Sequence, residues 1–182
     1  MKYLVSLYFD DKINQQILRH MIAVAEATGN DYMLEHKVPP HITISSFEVD
    51  AETNSDIVGK LVKDFNEVFQ NASGGVVQWV GTGAFMTSAL YLTPVLNQYL
   101  QKRMEDVYAV VSADKNIRVS KYYQPFQWLP HTTIGKKLDE MQLAKAFEIV
   151  QSDFRVIKGR VIRIGLAKAS PYEDISTWSY EE

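Results

Sequence analysis

No cysteine occurs in this chain, which removes disulfide scaffolds, thiolate metal sites and thiol nucleophiles from consideration together. That absence fits a reducing, cytoplasmic setting. Long apolar runs are missing too: Met1-Lys2-Tyr3-Leu4-Val5-Ser6 reaches Asp10-Asp11 too soon for a secretory signal or a membrane span. Positive charge is not in excess, and a net charge of −3 argues against indiscriminate binding to nucleic acid. No low-complexity segment divides the chain; Ala72-Ser73-Gly74-Gly75 is the nearest thing to a linker and reads as a loop. What is present suffices for a core. With 46% hydrophobic and 12% aromatic residues, 182 positions support one substantial domain, or two small lobes sharing an interior.

Histidine is scarce as well, at four residues, and two of them fall in one pattern: Pro40-His41-Ile42-Thr43-Ile44 and Pro130-His131-Thr132-Thr133-Ile134. Side chains alternate along a strand, so His41 and Thr43 share one face and Ile42 and Ile44 the other. His131 and Thr133 do the same. An imidazole takes or gives a proton near neutral pH, and a threonine hydroxyl donates to an anionic oxygen. Two such pairs facing one another make a symmetric site for acid–base work on a phosphate. One His-x-Thr alone would carry little, since either residue often bonds locally.

An internal repeat accompanies the pair. Leu7-Tyr8-Phe9 returns as Leu90-Tyr91-Leu92, Ile13-Asn14-Gln15 as Leu96-Asn97-Gln98, and Met21 as Met104 at the same offset. Such a long period means two lobes, about residues 1–85 and 86–170, within a single domain spanning 1–182. In the first half the pattern predicts a strand over Tyr3–Phe9, a helix over Ile13–Thr28, the His41 strand, a helix over Asp56–Phe69 and a strand over Val76–Val80. The second half predicts a strand over Ala89–Leu92, a helix over Val95–Val111 with Pro94 near its start, the His131 strand, a helix over Asp139–Val150 and a strand over Val161–Leu166.

At these two motifs the sequence resembles the 2H phosphoesterase superfamily, and within it the bacterial 2′-5′ RNA ligase-like and cyclic phosphodiesterase branch. The resemblance implies an α+β, bilobal fold with a pseudo-two-fold duplication: two antiparallel sheets around a central cleft, with helices outside. It implies catalysis by His41 and His131, one as general base and the other as the acid that protonates the leaving ribose oxygen, in either order. Thr43 and Thr133 would hold the non-bridging phosphate oxygens. The implied substrate is a 2′,3′-cyclic phosphate or a 2′-5′ linked nucleotide or RNA end, with no cofactor, metal, membrane or stable protein partner. The chain departs from relatives that place an arginine soon after the second motif, because Gly135-Lys136-Lys137 follows here. A lysine supplies charge but no planar two-pronged donor.

Other residues enter as secondary candidates. Tyr123, Phe126 and Trp128 precede the second motif and are candidates to stack a nucleobase, against the commoner use of aromatics as packing anchors. Tyr8 and Tyr91 read as packing residues. His36 reads as an exposed loop residue; joined to His41 and His131 it would make a zinc-dependent hydrolase, one of two alternatives. The other is a non-catalytic nucleotide- or RNA-binding module on the same fold. Between Phe154 and Ser170 lie Arg155, Lys158, Arg160, Arg163 and Lys168 without an acid, which reads as a solvated strand face ahead of an RNA track, with a local basic strip beside an anion site as the second reading.

Overall fold

The computed structural model describes residues 1–50, 52 and 54–180. Strand β1 (Lys2–Phe9) buries Tyr3, Val5, Leu7 and Phe9 on one face, the alternation expected of a strand with one side in the core. Asp10 then caps helix α1 (Asp11–Thr28), its carboxylate accepting from the Ile13 amide at 3.0 Å, and Gly29 ends it at φ 72°. Ile13, Ile17, Met21 and Val24, spaced at helical intervals, form its buried stripe. A short helix α2 (Tyr32–Glu35) leads into β2 (His41–Val49), which is followed by α3 (Asn54–Phe69) and β3 (Val76–Phe85).

The second half runs β4 (Ala89–Pro94), α4 (Gln98–Ser112), β5 (Ile117–Val119), a 3-10 turn over Lys121–Tyr123, β6 (Thr132–Lys136), α5 (Glu140–Asp153), β7 (Ile157–Ala169) and β8 (Tyr172–Ser179). Among the described residues, no helix is long and apolar enough to cross a membrane.

Several boundaries differ from the sequence pattern, each for a local reason. Helix α4 starts at Gln98, after Val95, because the Asn97 side chain accepts from the Leu100 amide and sets the cap there. Pro94 closes β4 rather than opening the helix, and the Val95 amide still donates to the Gln78 carbonyl in strand fashion. Strand β3 continues past Val80 through Gly81 and Gly83, residues whose strand propensity is poor but which pair with β4 up to Phe85–Ala89. β8 and the short β5 have no counterpart among the expected elements. β8 is an edge strand with mostly exposed side chains, so it lacks a continuous apolar signal.

All pairings are antiparallel, along the path β5-β2-β1-β7-β3-β4-β6, with β8 also on β7. Strand β7 belongs to both sheets. Its residues 157–160 pair with β3, and 161–168 pair with β1. Each half therefore sends its last strand into the other half's sheet: β7 joins β1 and β2, while β3 joins β4 and β6. The helices cross over likewise, α1 packing on β6 and α4 on β2. The shared interior is continuous; Phe9 meets Trp79 edge-on at 4.8 Å between the two sheets.

Candidate active site

The face of each sheet opposite the helices carries the polar residues. Cross-strand partners share a face, so the register spells out two rows in the first sheet. His41 on β2 lies opposite Tyr8 on β1, which lies opposite Arg163 on β7. One step along, Thr43 lies opposite Ser6, which lies opposite Gly165. Ile42, Leu7 and Ile164 fill the alternate rows and are buried. In the second sheet Thr133 on β6 lies opposite Tyr91 on β4, which lies opposite Gly83 on β3. Gly83 has a steric reason to be glycine: an added Cβ would sit 2.6 Å from the Tyr91 ring.

The two histidines are held the same way. The Nδ1–H of His41 donates to the Pro39 carbonyl at 2.7 Å, and that of His131 donates to the Leu129 carbonyl at 2.9 Å. Each acceptor is two residues upstream and precedes a proline. Because a carbonyl only accepts, this bond places the Nδ1 proton and leaves Nε2 as the free nitrogen on both rings. Tyr8 stands beside His41, with ring centres 6.2 Å apart. His131 is flanked by Phe85 at 4.7 Å and Tyr91 at 5.4 Å.

Both imidazoles are pushed below the ordinary histidine range. Burial is the largest cause for each, and the carbonyl bond opposes it. His41 is lowered further by charge on His131 and on Lys136, so the two motifs lie within electrostatic reach of one another. Strands β2 and β6 also touch directly, and the Trp128 indole N–H donates across them to the Thr43 carbonyl at 3.0 Å.

That bond corrects one expectation. Trp128 is only 7% exposed and ties the two motif strands together, rather than presenting a face for a base. Its counterpart in the second motif is Trp79, whose indole N–H donates to the Thr132 hydroxyl at 3.0 Å, on the buried side of β6. Trp128→Phe deletes this buried bond, so it is expected to cost about 0.5–1.5 kcal/mol in urea denaturation. An unchanged midpoint would show that the indole bond is dispensable.

The remaining candidates sit as follows. Tyr123 is half-buried against the core, with its hydroxyl pKa raised by that burial, whereas Phe126 is 94% exposed with φ at 64°. The Thr43 hydroxyl is buried 3.3 Å from the Ser6 hydroxyl; Thr133 is half-buried. His36 ends α2, stacks on Tyr32 at 4.0 Å and donates to the Tyr32 carbonyl. The ammonium groups of Lys136 and Lys137 lie 5.9 and 4.5 Å from the same Tyr32 ring. Among the described residues, no group of three His, Asp or Glu side chains is gathered at metal-binding distance.

Four residues at the site were not singled out for it by the sequence: Ser6, Phe85, Arg163 and Tyr172. Arg163 was one of five bases read as a solvated face. The register instead turns it to the histidine side, its guanidinium 4.4 Å from the Tyr8 ring centre. The Tyr172 hydroxyl donates to Asp174 at 2.8 Å, which leaves the Tyr8 hydroxyl to donate to Tyr172 at 3.3 Å. Period-two alternation on β7 was the available signal for Arg163, but its phase depends on pairing with β1.

Comparison with known proteins agrees with this architecture. The family model described as the 2′-5′ RNA ligase superfamily matches residues 13–172. No curated protein matches in sequence. Among solved structures, E. coli LigT complexed with 3′-AMP is similar at TM-score 0.64 and 13% identity, over 100% of this chain and 98% of that one. TT0787 of Thermus thermophilus is similar at 0.65 and 12%, over 100% of both chains. Usb1 of Kluyveromyces marxianus is similar at 0.58 and 15%, over 98% and 97%. At such identities the structural likeness establishes the fold.

Proposed function

This chain belongs to the 2′-5′ RNA ligase superfamily of 2H phosphoesterases, and on that premise we propose that it is a metal-independent phosphodiesterase acting on 2′,3′-cyclic phosphate or 2′-5′ linked ends. The observation that carries the reading is the matched setting of His41 and His131. Both fix Nδ1–H on a carbonyl and free Nε2, and charge on the second motif reaches the first. Anion binding alone does not call for two proton carriers prepared in the same way.

The two rings also divide the work. Burial lowers both rings and charge on His131 bears on His41, so the active pair carries one proton between them. One ring is therefore the neutral base and the other the acid, the direction of the bound substrate setting which. In hydrolysis of a cyclic phosphate, Nε2 of the basic ring takes a proton as water oxygen bonds to phosphorus. The P–O bond to the ribose breaks, and Nε2–H of the other ring protonates the departing oxygen. Thr43 and Thr133 donate to the non-bridging oxygens as their charge builds. Phe126, the exposed aromatic of the loop before the second motif, is the candidate to stack a base, a contact worth about 1–3 kcal/mol. The nucleotide in the LigT structure is consistent with this substrate class.

The pH dependence of kcat/KM tests the assignment. Both lowered histidines shift the bell to the acid side, with its optimum below about pH 6.5. The sign follows from the roles. Activity falls on the acid limb as the basic ring gains a proton, and on the alkaline limb as the acidic ring loses one. A bound phosphate anion favours imidazolium, so the kcat limbs move upward relative to those of kcat/KM. A pH-independent rate through this range would sink the paired-histidine mechanism.

A further inference from the structure

We propose that Arg163 binds a second phosphate of the substrate, the internucleotide phosphate next to the reacting one, so that the site is built for an oligonucleotide end rather than a lone nucleotide. The inference rests on the phosphodiesterase reading. Its geometry comes from the sheet. Arg163 occupies the same row as Tyr8 and His41, on the side of His41 away from β6. A reacting phosphate held between His41 and His131 lies toward β6. Arg163 is two strands from His41 in the opposite direction, about 9–10 Å between backbones at ordinary strand spacing, and its guanidinium rests on the intervening Tyr8 ring. That puts it beside the reacting phosphate, where a neighbouring one would lie.

Its chemistry fits an anion. Arg103 pairs with Asp106, and Arg118 with Glu48 and Asp50, but among the described residues Arg163 makes no ion pair. It lies instead against the Tyr8 face, which holds the guanidinium in place without neutralising it. Tyr8 is itself fixed through Tyr172 to Asp174, and its ring leans over Gly165, where an added Cβ would stand 3.0 Å from it. A guanidinium positioned in this way offers the planar two-donor grip that phosphates favour. It comes from β7, whereas the segment after the second motif supplies only Lys136 and Lys137.

The test compares ligands with one and two phosphates. A deoxynucleoside 3′-phosphate and a deoxydinucleotide carrying a terminal 3′-phosphate lack the 2′-hydroxyl, so calorimetric titration reads binding without turnover. Arg163→Gln is expected to weaken the dinucleotide by roughly 10-fold more than the mononucleotide, the scale of a lost charge-assisted bond. Arg163→Lys should recover part of the difference. With cyclic-phosphate substrates of the same two lengths, the Arg163→Gln defect should lie in KM for the longer one. Equal weakening of both ligands, or of neither, overturns the second-phosphate site. If the unaltered protein hydrolyses neither cyclic substrate while the Arg163-dependent binding difference persists, the phosphodiesterase reading fails and the anion site stands.

Discussion

His41→Ala and His131→Ala are each expected to lower turnover of a 2′,3′-cyclic phosphate by roughly 10²–10⁴-fold, because each removes one of the two proton-transfer partners. The double variant should be little worse than either single one, since groups that act in one step are not additive. Structure sharpens the expectation. Each ring is anchored by a carbonyl bond at Nδ1 and freed at Nε2, so losing either ring removes a proton carrier already set in place. Thr43→Val and Thr133→Val should cost less, keeping side-chain shape while deleting one donor to the phosphate. His36→Ala should be nearly silent, because that ring is engaged with Tyr32 on α2. Steady-state kinetics on the six variants decides the matter; a His36→Ala loss matching that of His41→Ala would revive the zinc reading.

Turnover of cyclic phosphates or 2′-5′ diesters should be unaffected by EDTA, and simple phosphomonoesters should not be turned over. A cyclic diester carries one negative charge and a strained ring, so a positioned acid, base and hydroxyl donors meet its needs. A monoester dianion calls for more fixed positive charge or a metal at the reacting phosphorus to offset its desolvation. Here the fixed charge near His41 is the exposed Lys136, with Arg163 two strands away. The histidines would not make up the difference, since both are held below their ordinary range and one must be neutral to act as base. Release of phosphate from monoesters that needs metal and is lost in His41→Ala would show that the reaction class is wrong.

Much of the site was legible because its signals are local. Alternation along a strand puts His41 with Thr43, and His131 with Thr133, on one face whatever the strands pair with. The buried Ile42, Ile44, Thr132 and Ile134 occupy the other face, as the same rule requires. Helix α1 was equally readable, its Asp10 cap, its four buried apolar residues and its Gly29 stop being set within one segment. Aromatic roles were less so. Trp128 and Phe126 stand two residues apart in sequence, yet one is buried across β2 and the other is almost wholly in solvent. Tyr8 and Tyr91 read as packing residues, and both are buried, but each also stands against a catalytic candidate.

Local patterning supplies the chemical groups: two imidazoles and two hydroxyls, each pair on one face of a strand, in a chain with no thiol and no long apolar run. Tertiary structure decided how these parts are assembled. It placed β7 in both sheets, exchanged the last strands of the two halves, brought Phe85 against His131, and turned Arg163 out of a basic strip toward the histidines. The physical reason is the range of the interactions. Which side chains share a face is fixed by backbone pleat over two residues. Which faces meet is fixed by hydrogen-bond register between strands far apart in sequence, such as those of Tyr8 and Arg163, where a one-residue slip would send the guanidinium into the core.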